Sequence, residues 1–169
     1  ILLTFSFLWM TYLGSKLGEN YLAANTLLIQ FIMLASFFLD AYAFSTEAVI
    51  GYAVGKKLKN LFLIVVSNSF QLSIFSGLII SIVYLFTFQL IINELTDLDY
   101  LKFLTFNYII WIIIIPPVAS ICYQFDGIFI GASQTGEMRN AMIVSVILFI
   151  LSSHLLVGNF GNHGLWLSL

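Results

Sequence analysis

The sequence predicts an all-α protein that crosses a membrane several times, and composition, hydropathy and segment length all support this fold class. Of the 169 residues, 61% are hydrophobic and 8% are charged, whereas soluble domains carry about 25% charged residues. The mean hydropathy is +1.05. The alternating strands that are typical of a transmembrane barrel are absent from the sequence, so helices are the expected spanning elements.

Six hydrophobic segments separated by short polar stretches make up the chain. A bilayer core about 30 Å thick needs about 20 helical residues, so the four complete segments are long enough to span it. The chain opens and closes within hydrophobic runs, and we expect it to be a fragment in which the first and last spans are truncated. The segments cover about 1–13, 21–52, 61–92, 100–130, 138–157 and 164–169.

Charged residues in the polar stretches predict the orientation of these spans. Four basic residues fall on one side and two on the other, and the positive-inside rule assigns the richer side to the cytoplasm. The stretch that contains Glu94, Asp97 and Asp99 then faces outward. The basic residues predicted in the cytoplasm are Lys56, Lys57, Lys59 and Arg139, against Lys16 and Lys102 on the other side.

Two short patterns recur at the predicted cytoplasmic turns. Ile50-Gly51 recurs as Ile130-Gly131, and Lys59-Asn60 recurs as Arg139-Asn140, both at a spacing of 80 residues. Structural repeats are common in secondary transporters, so an internal repeat is one interpretation. Chance matching of Gly and Asn in short loops is the other.

Three acidic residues, Asp40, Glu47 and Asp126, lie inside segments that are otherwise apolar. A carboxylate in the bilayer costs roughly 3 kcal/mol on insertion scales, so it normally faces a partner, a cavity or an ion path. Asp40 and Glu47 are seven residues apart and share a helical face, and Tyr123 shares a face with Asp126. These groups can exchange a proton or coordinate Na⁺. The alternative is an interhelical hydrogen bond that only fixes packing.

Two backbone features also bear on function. Pro116-Pro117 precedes Asp126 in the same segment and should break or kink that helix, because both residues lack an N–H group. Such a break is either a transport hinge or a static kink. Gly51 and Gly55 have the spacing that is typical of close helix packing.

Several classes of function find no support in the sequence. The six basic residues are spread over the chain, which gives no reason to expect nucleic-acid binding. No nucleophile–base pair, phosphate-binding loop, metal constellation or cofactor motif is present, so we expect neither an enzyme nor a bound cofactor. No Lys or Arg lies deep within a segment, which favours cations or protons over phosphates as ligands.

Three stretches resemble the MATE family of multidrug and toxic compound extrusion transporters, and the DinF-like subgroup in particular. They are residues 22–30 (LAANTLLIQ), residues 38–55 (which include Leu39-Asp40-Ala41-Tyr42 and Glu47-Ala48-Val49-Ile50-Gly51) and residues 126–140 (which include Asp126-Gly127-Ile128-Phe129 and Met138-Arg139-Asn140). The resemblance covers nearly the whole chain. It implies twelve transmembrane helices in two lobes, with this chain as the C-terminal lobe.

The resemblance also implies a function and a site. MATE transporters expel lipophilic, often cationic compounds in exchange for H⁺ or Na⁺, without a cofactor. Tyr123 and Asp126 resemble the part of the tenth helix that supplies a cation-binding carboxylate, and Asp40 and Glu47 match the acidic pair of the eighth. The carboxylate that some members carry on the seventh helix is absent from the visible part of that helix.

We therefore expect a secondary antiporter of the bacterial inner membrane. Its partners would be the lipid bilayer, a small organic and cationic substrate, and an N-terminal lobe of the same polypeptide. Two rival functions are a flippase for lipid-linked saccharides on the same scaffold and a membrane scaffold protein that transports nothing.

Overall fold

The computed structural model describes residues 2–169, and this range folds into six α-helices without a strand. The predicted all-α class is therefore confirmed. The helices are α1 (Leu2–Leu17), α2 (Glu19–Gly55), α3 (Lys59–Leu95), α4 (Asp99–Phe106), α5 (Ile109–Gly131) and α6 (Thr135–Ser168).

Four of the helices, α2, α3, α5 and α6, are long and apolar enough to cross a membrane. The helices α2 and α3 have 37 residues each, which corresponds to about 55 Å of helix and exceeds the bilayer core. Large apolar side chains cover their surfaces: Phe37 is 73% exposed and Phe86 is 76% exposed. Such surfaces are unfavourable in water and suit contact with lipid.

Helices α1, α2 and α3 extend a few residues beyond the predicted segments, and the number of elements differs in two further places. A turn divides the predicted fourth segment, because the N–H groups of Asn107 and Tyr108 bond to carbonyl oxygens three residues earlier, at 3.3 and 3.0 Å. The helix α6 covers the fifth and sixth segments, with a change of direction at Gly161 (φ 55°, ψ −133°). Hydropathy does not mark the turn at Asn107 and Tyr108, since this turn involves only two residues within an apolar run.

The chain forms two compact units, and the first comprises residues 2–30, Thr87–Trp111 and Asn140–Leu169. A buried polar network stabilises this unit. The amide groups of Asn25 and Asn162 exchange two hydrogen bonds, at 2.7 and 2.9 Å. Trp166 Nε1 donates a third bond to Asn25 Oδ1, at 2.8 Å. Each of these polar groups therefore has a partner where water is excluded.

The second unit comprises Phe31–Phe86 and Ile112–Arg139 and contains the α2–α3 and α5–α6 turns. These turns are structurally equivalent, since Lys57 (φ 56°) and Ser133 (φ 58°) occupy the same left-handed position after α2 and α5. The equivalent positions are thus 76 residues apart, not 80. Ile50-Gly51 lies inside α2 whereas Ile130-Gly131 ends α5, so the repeated patterns do not reflect a structural repeat.

Candidate functional site

Helices α2 and α5 approach each other closely because glycines of α5 lie against the backbone of α2. A Cβ atom at Gly127 would clash with the carbonyl oxygen of Ala43, and one at Gly131 would come within 2.6 Å of the Glu47 carbonyl oxygen. Gly51 contributes from the other side, since a Cβ atom there would lie 3.5 Å from the Gly131 carbonyl oxygen, whereas a Cβ atom at Gly55 would meet no other part of the protein within 4 Å. Close packing is therefore observed at Gly51 but not at Gly55.

This close packing brings two of the predicted acids together. Asp126 precedes Gly127 on α5, and Asp40 lies about one turn before Ala43 on α2. Their carboxylates are near enough to repel each other. Neither helix contains a Lys or Arg, so no basic residue of α2 or α5 balances this negative charge.

Tyr123 of α5 is a third predicted site residue, and it lies close to both Asp40 and Asp126. Its phenol interacts with the carboxylates of Asp40 and Asp126 and lies against the side chain of Ser36. Ser36 lies about one turn before Asp40 on α2, and its hydroxyl donates a 2.7 Å hydrogen bond to the Met33 carbonyl oxygen. We refer to Ser36, Asp40, Tyr123 and Asp126 as the acidic cluster.

The acidic cluster offers oxygen atoms only, from two carboxylates, a phenol and a hydroxyl. Oxygen donors suit protons and hard cations rather than the soft metals that prefer thiolate or imidazole. Within residues 2–169 no group of three or more His, Cys, Asp or Glu residues could hold a metal ion. All four side chains of the cluster are partly exposed, so a small cation can reach them.

Glu47 lies apart from the acidic cluster. It is on the same face of α2 as Asp40 but two turns further along, which is about 10 Å. The groups that interact electrostatically with Tyr123 and Asp126 include Asp40 and do not include Glu47. Residues seven apart on α2 share a helical face, but the sequence spacing alone does not show which of them lies next to α5. A cation-binding role for Glu47 stays a prediction.

Helix α5 continues through Pro116 and Pro117 without a break. Pro117 cannot donate a hydrogen bond to the Ile113 carbonyl oxygen, and the hydroxyl of Ser81 on α3 lies 2.6 Å from that oxygen. Gly77 fits against the same pair, because a Cβ there would come within 2.8 Å of Pro117 Cα. The helix is therefore not broken at this point, and Ser81 of α3 provides a hydrogen bond to the oxygen that Pro117 leaves without its helical donor, whereas a kink stays a prediction. The hinge role stays a prediction.

A buried polar pair that sequence reasoning missed also links α2 to α5. Thr46 Oγ1 lies 2.8 Å from Gln124 Oε1 and 2.9 Å from the Tyr42 carbonyl oxygen. Gln124 is fully buried, and its Nε2 has no partner among the described residues. The only signal in the sequence was a glutamine within an apolar span, next to Tyr123.

Taken together, four long apolar helices and a pair of acids between two of them define a multi-pass α-helical membrane protein. A model of the family described as MatE matches residues 1–156. The chain belongs to this family, whose members are transporters rather than enzymes, and the predicted family membership is confirmed.

Two curated relatives match over all 169 residues of the chain. DNA damage-inducible protein F of Escherichia coli (strain K12) is 37% identical, and the match covers 37% of that protein. Protein DETOXIFICATION 42 of Arabidopsis thaliana is 24% identical, and the match covers 33% of it. The chain thus spans about a third of the length of these relatives. No solved structure matches the chain.

Proposed function

We propose that the protein is a secondary antiporter that exports lipophilic or cationic compounds in exchange for H⁺ or Na⁺. The observation that carries this proposal is the pair of acids, Asp40 and Asp126, on two closely packed helices that contain no basic residue. Membership of a transporter family and the name of the Arabidopsis relative, Protein DETOXIFICATION 42, agree with it.

The chemistry of the acidic cluster suggests how an ion could drive transport. Two carboxylates that repel each other gain stability when a proton or a Na⁺ ion joins them, because the added positive charge removes the repulsion. Asp126 and Asp40 would hold the ion, with the phenol oxygen of Tyr123 and the hydroxyl of Ser36 as further ligands. Neutralising the carboxylates also lowers the free-energy cost of an access state in which water does not reach them.

Coupling requires that the ion and the exported compound favour different access states. In this proposal the ion favours the state in which α2 and α5 hold the acidic cluster together, and a cationic substrate competes for the same negative charge. Glu47 would pass the ion between the acidic cluster and the cytoplasm. Pro116 and Pro117 would act as the hinge for the moving part of α5. An N-terminal lobe would complete the transport cavity in the inner membrane.

The substitution Asp126→Asn in the full-length protein tests this proposal. Asparagine has nearly the same size but cannot carry the negative charge, so export should fall to background while the protein stays in the membrane at normal levels. Purified protein in proteoliposomes with an imposed pH or Na⁺ gradient would provide the measurement. The matched control is Glu137→Gln, which removes an exposed acid in the first turn of α6 and should leave export unchanged.

Two results would contradict the proposal. Full export by the Asp126→Asn protein would remove Asp126 from the coupling mechanism. An absence of substrate movement in wild-type proteoliposomes under either gradient would favour a membrane protein that acts only as a scaffold.

A further inference from the structure

Aromatic and polar side chains surround His163 near the C-terminal end of α6. Trp111 lies in the first turn of α5, and Tyr108 lies in the short turn just before that helix. All three residues belong to the first compact unit. They therefore lie at the end of α5 and α6 that is opposite to the α5–α6 turn.

His163 contacts both aromatic residues directly. Trp111 Nε1 donates a hydrogen bond to His163 Nδ1, at 3.1 Å. The rings of Tyr108 and His163 have their centroids 4.6 Å apart, with an angle of 52° between the ring planes. His163 is exposed, and it belongs to the polar stretch between the fifth and sixth predicted segments. Its imidazole is therefore accessible to protons from water.

The hydrogen bond between Trp111 and His163 requires the neutral form of the histidine. An indole N–H can only donate, and a neutral imidazole accepts at one of its two nitrogens. Because Nδ1 accepts from Trp111, the proton of neutral His163 is on Nε2. Protonation adds a hydrogen at Nδ1, so that two N–H groups would point at each other. The protonated histidine therefore cannot keep this hydrogen bond.

The ring of Tyr108 offers the protonated histidine a different partner. A cation within about 6 Å of an aromatic ring centroid is attracted to the ring, and the Tyr108 ring meets that distance. The Trp111 ring lies further from His163, with the centroids 6.3 Å apart. Protonation therefore favours the contact with Tyr108 over the contact with Trp111.

Titratable groups from neighbouring elements also lie at this end of the helices. Tyr21 of α2 and Tyr100 of α4 interact with Tyr108, and phenols are uncharged near neutral pH. Within residues 2–169 the polar and ring contacts of His163 are those with Trp111 and Tyr108, and none is an ion pair. The charged residues of the adjacent elements at this end are Glu19, Asp97, Asp99 and Lys102.

The segment that contains His163 is attached to α2 by a separate set of hydrogen bonds. The change of direction at Gly161 separates this segment from the preceding part of α6. Asn162, the residue before His163, exchanges two hydrogen bonds with Asn25 of α2. The segment after Gly161 is thus held to α2 through Asn162 and to α5 through His163, and only the second of these links involves a group that can be protonated near neutral pH.

We propose that His163 is a pH-dependent link between α5 and α6. Neutral His163 accepts the Trp111 N–H and holds the start of α5 against the segment after Gly161. Protonated His163 stays on the ring of Tyr108 and releases Trp111, while Asn25 and Asn162 keep the segment attached to α2. Histidine is the side chain suited to such a change between about pH 5 and 8. Since the positive-inside rule places this end outside the cell, the link responds to external acidity.

NMR of purified full-length protein with ¹⁵N-labelled tryptophan tests this link. We expect the Trp111 indole N–H resonance, identified by its absence from the Trp111→Phe protein, to follow a titration curve between about pH 8 and 5. His163→Gln keeps an acceptor oxygen but cannot be protonated in this range, so the resonance should stay constant in that protein. His154→Gln is the matched control, because His154 is also an exposed histidine of α6, and the titration should persist. A resonance that does not shift in the wild-type protein, or that still titrates in the His163→Gln protein, would overturn the proposal.

Hydrogen–deuterium exchange measures whether protonation loosens the start of α5. At about pH 5.5 the backbone amides of residues 107–111 should exchange about fivefold faster in the wild-type protein than in the His163→Gln protein, the factor for one net hydrogen bond. At about pH 8 the two proteins should exchange equally. Comparing both proteins at the same pH removes the intrinsic dependence of exchange on pH.

The amides around Asn25 on α2 provide the internal control, since the hydrogen bonds of Asn25 involve no titratable group. They should exchange equally in both proteins at both pH values. Equal exchange of residues 107–111 at about pH 5.5 would show that α5 stays attached and would contradict the proposal. Both tests follow the structure rather than export, so their outcome does not depend on whether the proposed antiport function is correct.

Discussion

At the scale of single residues, Thr46 and Gln124 raise the question of which group donates each of their hydrogen bonds. The Thr46 hydroxyl has one proton but lies within hydrogen-bond distance of two acceptors, Gln124 Oε1 and the Tyr42 carbonyl oxygen. Exchanging the oxygen and nitrogen of the Gln124 amide, which have nearly the same shape, resolves this conflict. The amide then donates to Thr46, and Thr46 donates to Tyr42.

The substitution Thr46→Val tests this pair. Valine matches the shape of threonine but leaves the buried Gln124 amide without its partner, so unfolding in detergent should require about 1 kcal/mol less. Thr46→Ser keeps the hydroxyl and serves as the control, with little loss expected. Thermal unfolding followed by circular dichroism would measure both. Equal stability of the valine and wild-type proteins would show that the pair contributes packing alone.

At the scale of helices, the close contact of α2 with α5 determines whether Asp40 and Asp126 can act together. Gly127 allows the contact because it has no side chain against Ala43. The acids belong to different helices, so a small increase in the separation of the helices would weaken their interaction. The packing at Gly127 and the distance between the two acids are therefore linked in the structure.

We expect the substitution Gly127→Ala to impair both stability and export. The added methyl group clashes with backbone atoms rather than a flexible side chain, and such overpacking costs about 1–3 kcal/mol. Gly55→Ala is a suitable control, since nothing lies within 4 Å of its Cβ position. Unfolding midpoints and proteoliposome export would be compared. Normal export by the Gly127→Ala protein would show that the acids need not be held this closely.

The sequence predicted the helical elements better than the contacts between them. Hydropathy alone identifies the long spans, because a run of about 20 apolar residues is rare outside membrane-spanning helices. It does not reveal that Ser81 compensates for Pro117, since that contact joins residues of two different helices. Ser36 was detectable in principle: it lies four residues before Asp40 and shares its helical face.

At the scale of the whole molecule, charge distribution and helix connectivity together determine which ends of the spans share a side of the membrane. The α2–α3 and α5–α6 turns belong to one compact unit, and the ends of their helices touch at Gly51 and Gly131. Helix α3 leads from the first of these turns to the loop that contains Asp97. Because α3 is long enough to span a bilayer, we expect Asp97 to face the opposite side.

Single cysteines placed in a cysteine-free full-length protein would test this orientation. We expect Asp97→Cys to react with a membrane-impermeant thiol reagent in intact cells. Lys56→Cys and Gln134→Cys, one in each turn of the second unit, should react only after the membrane is permeabilised, because the positive-inside rule places their side in the cytoplasm. All three positions are exposed, so access to the reagent does not differ for steric reasons. Labelling of Lys56→Cys and Gln134→Cys from opposite sides would contradict the helix arrangement, whereas labelling of both from outside would contradict only the orientation.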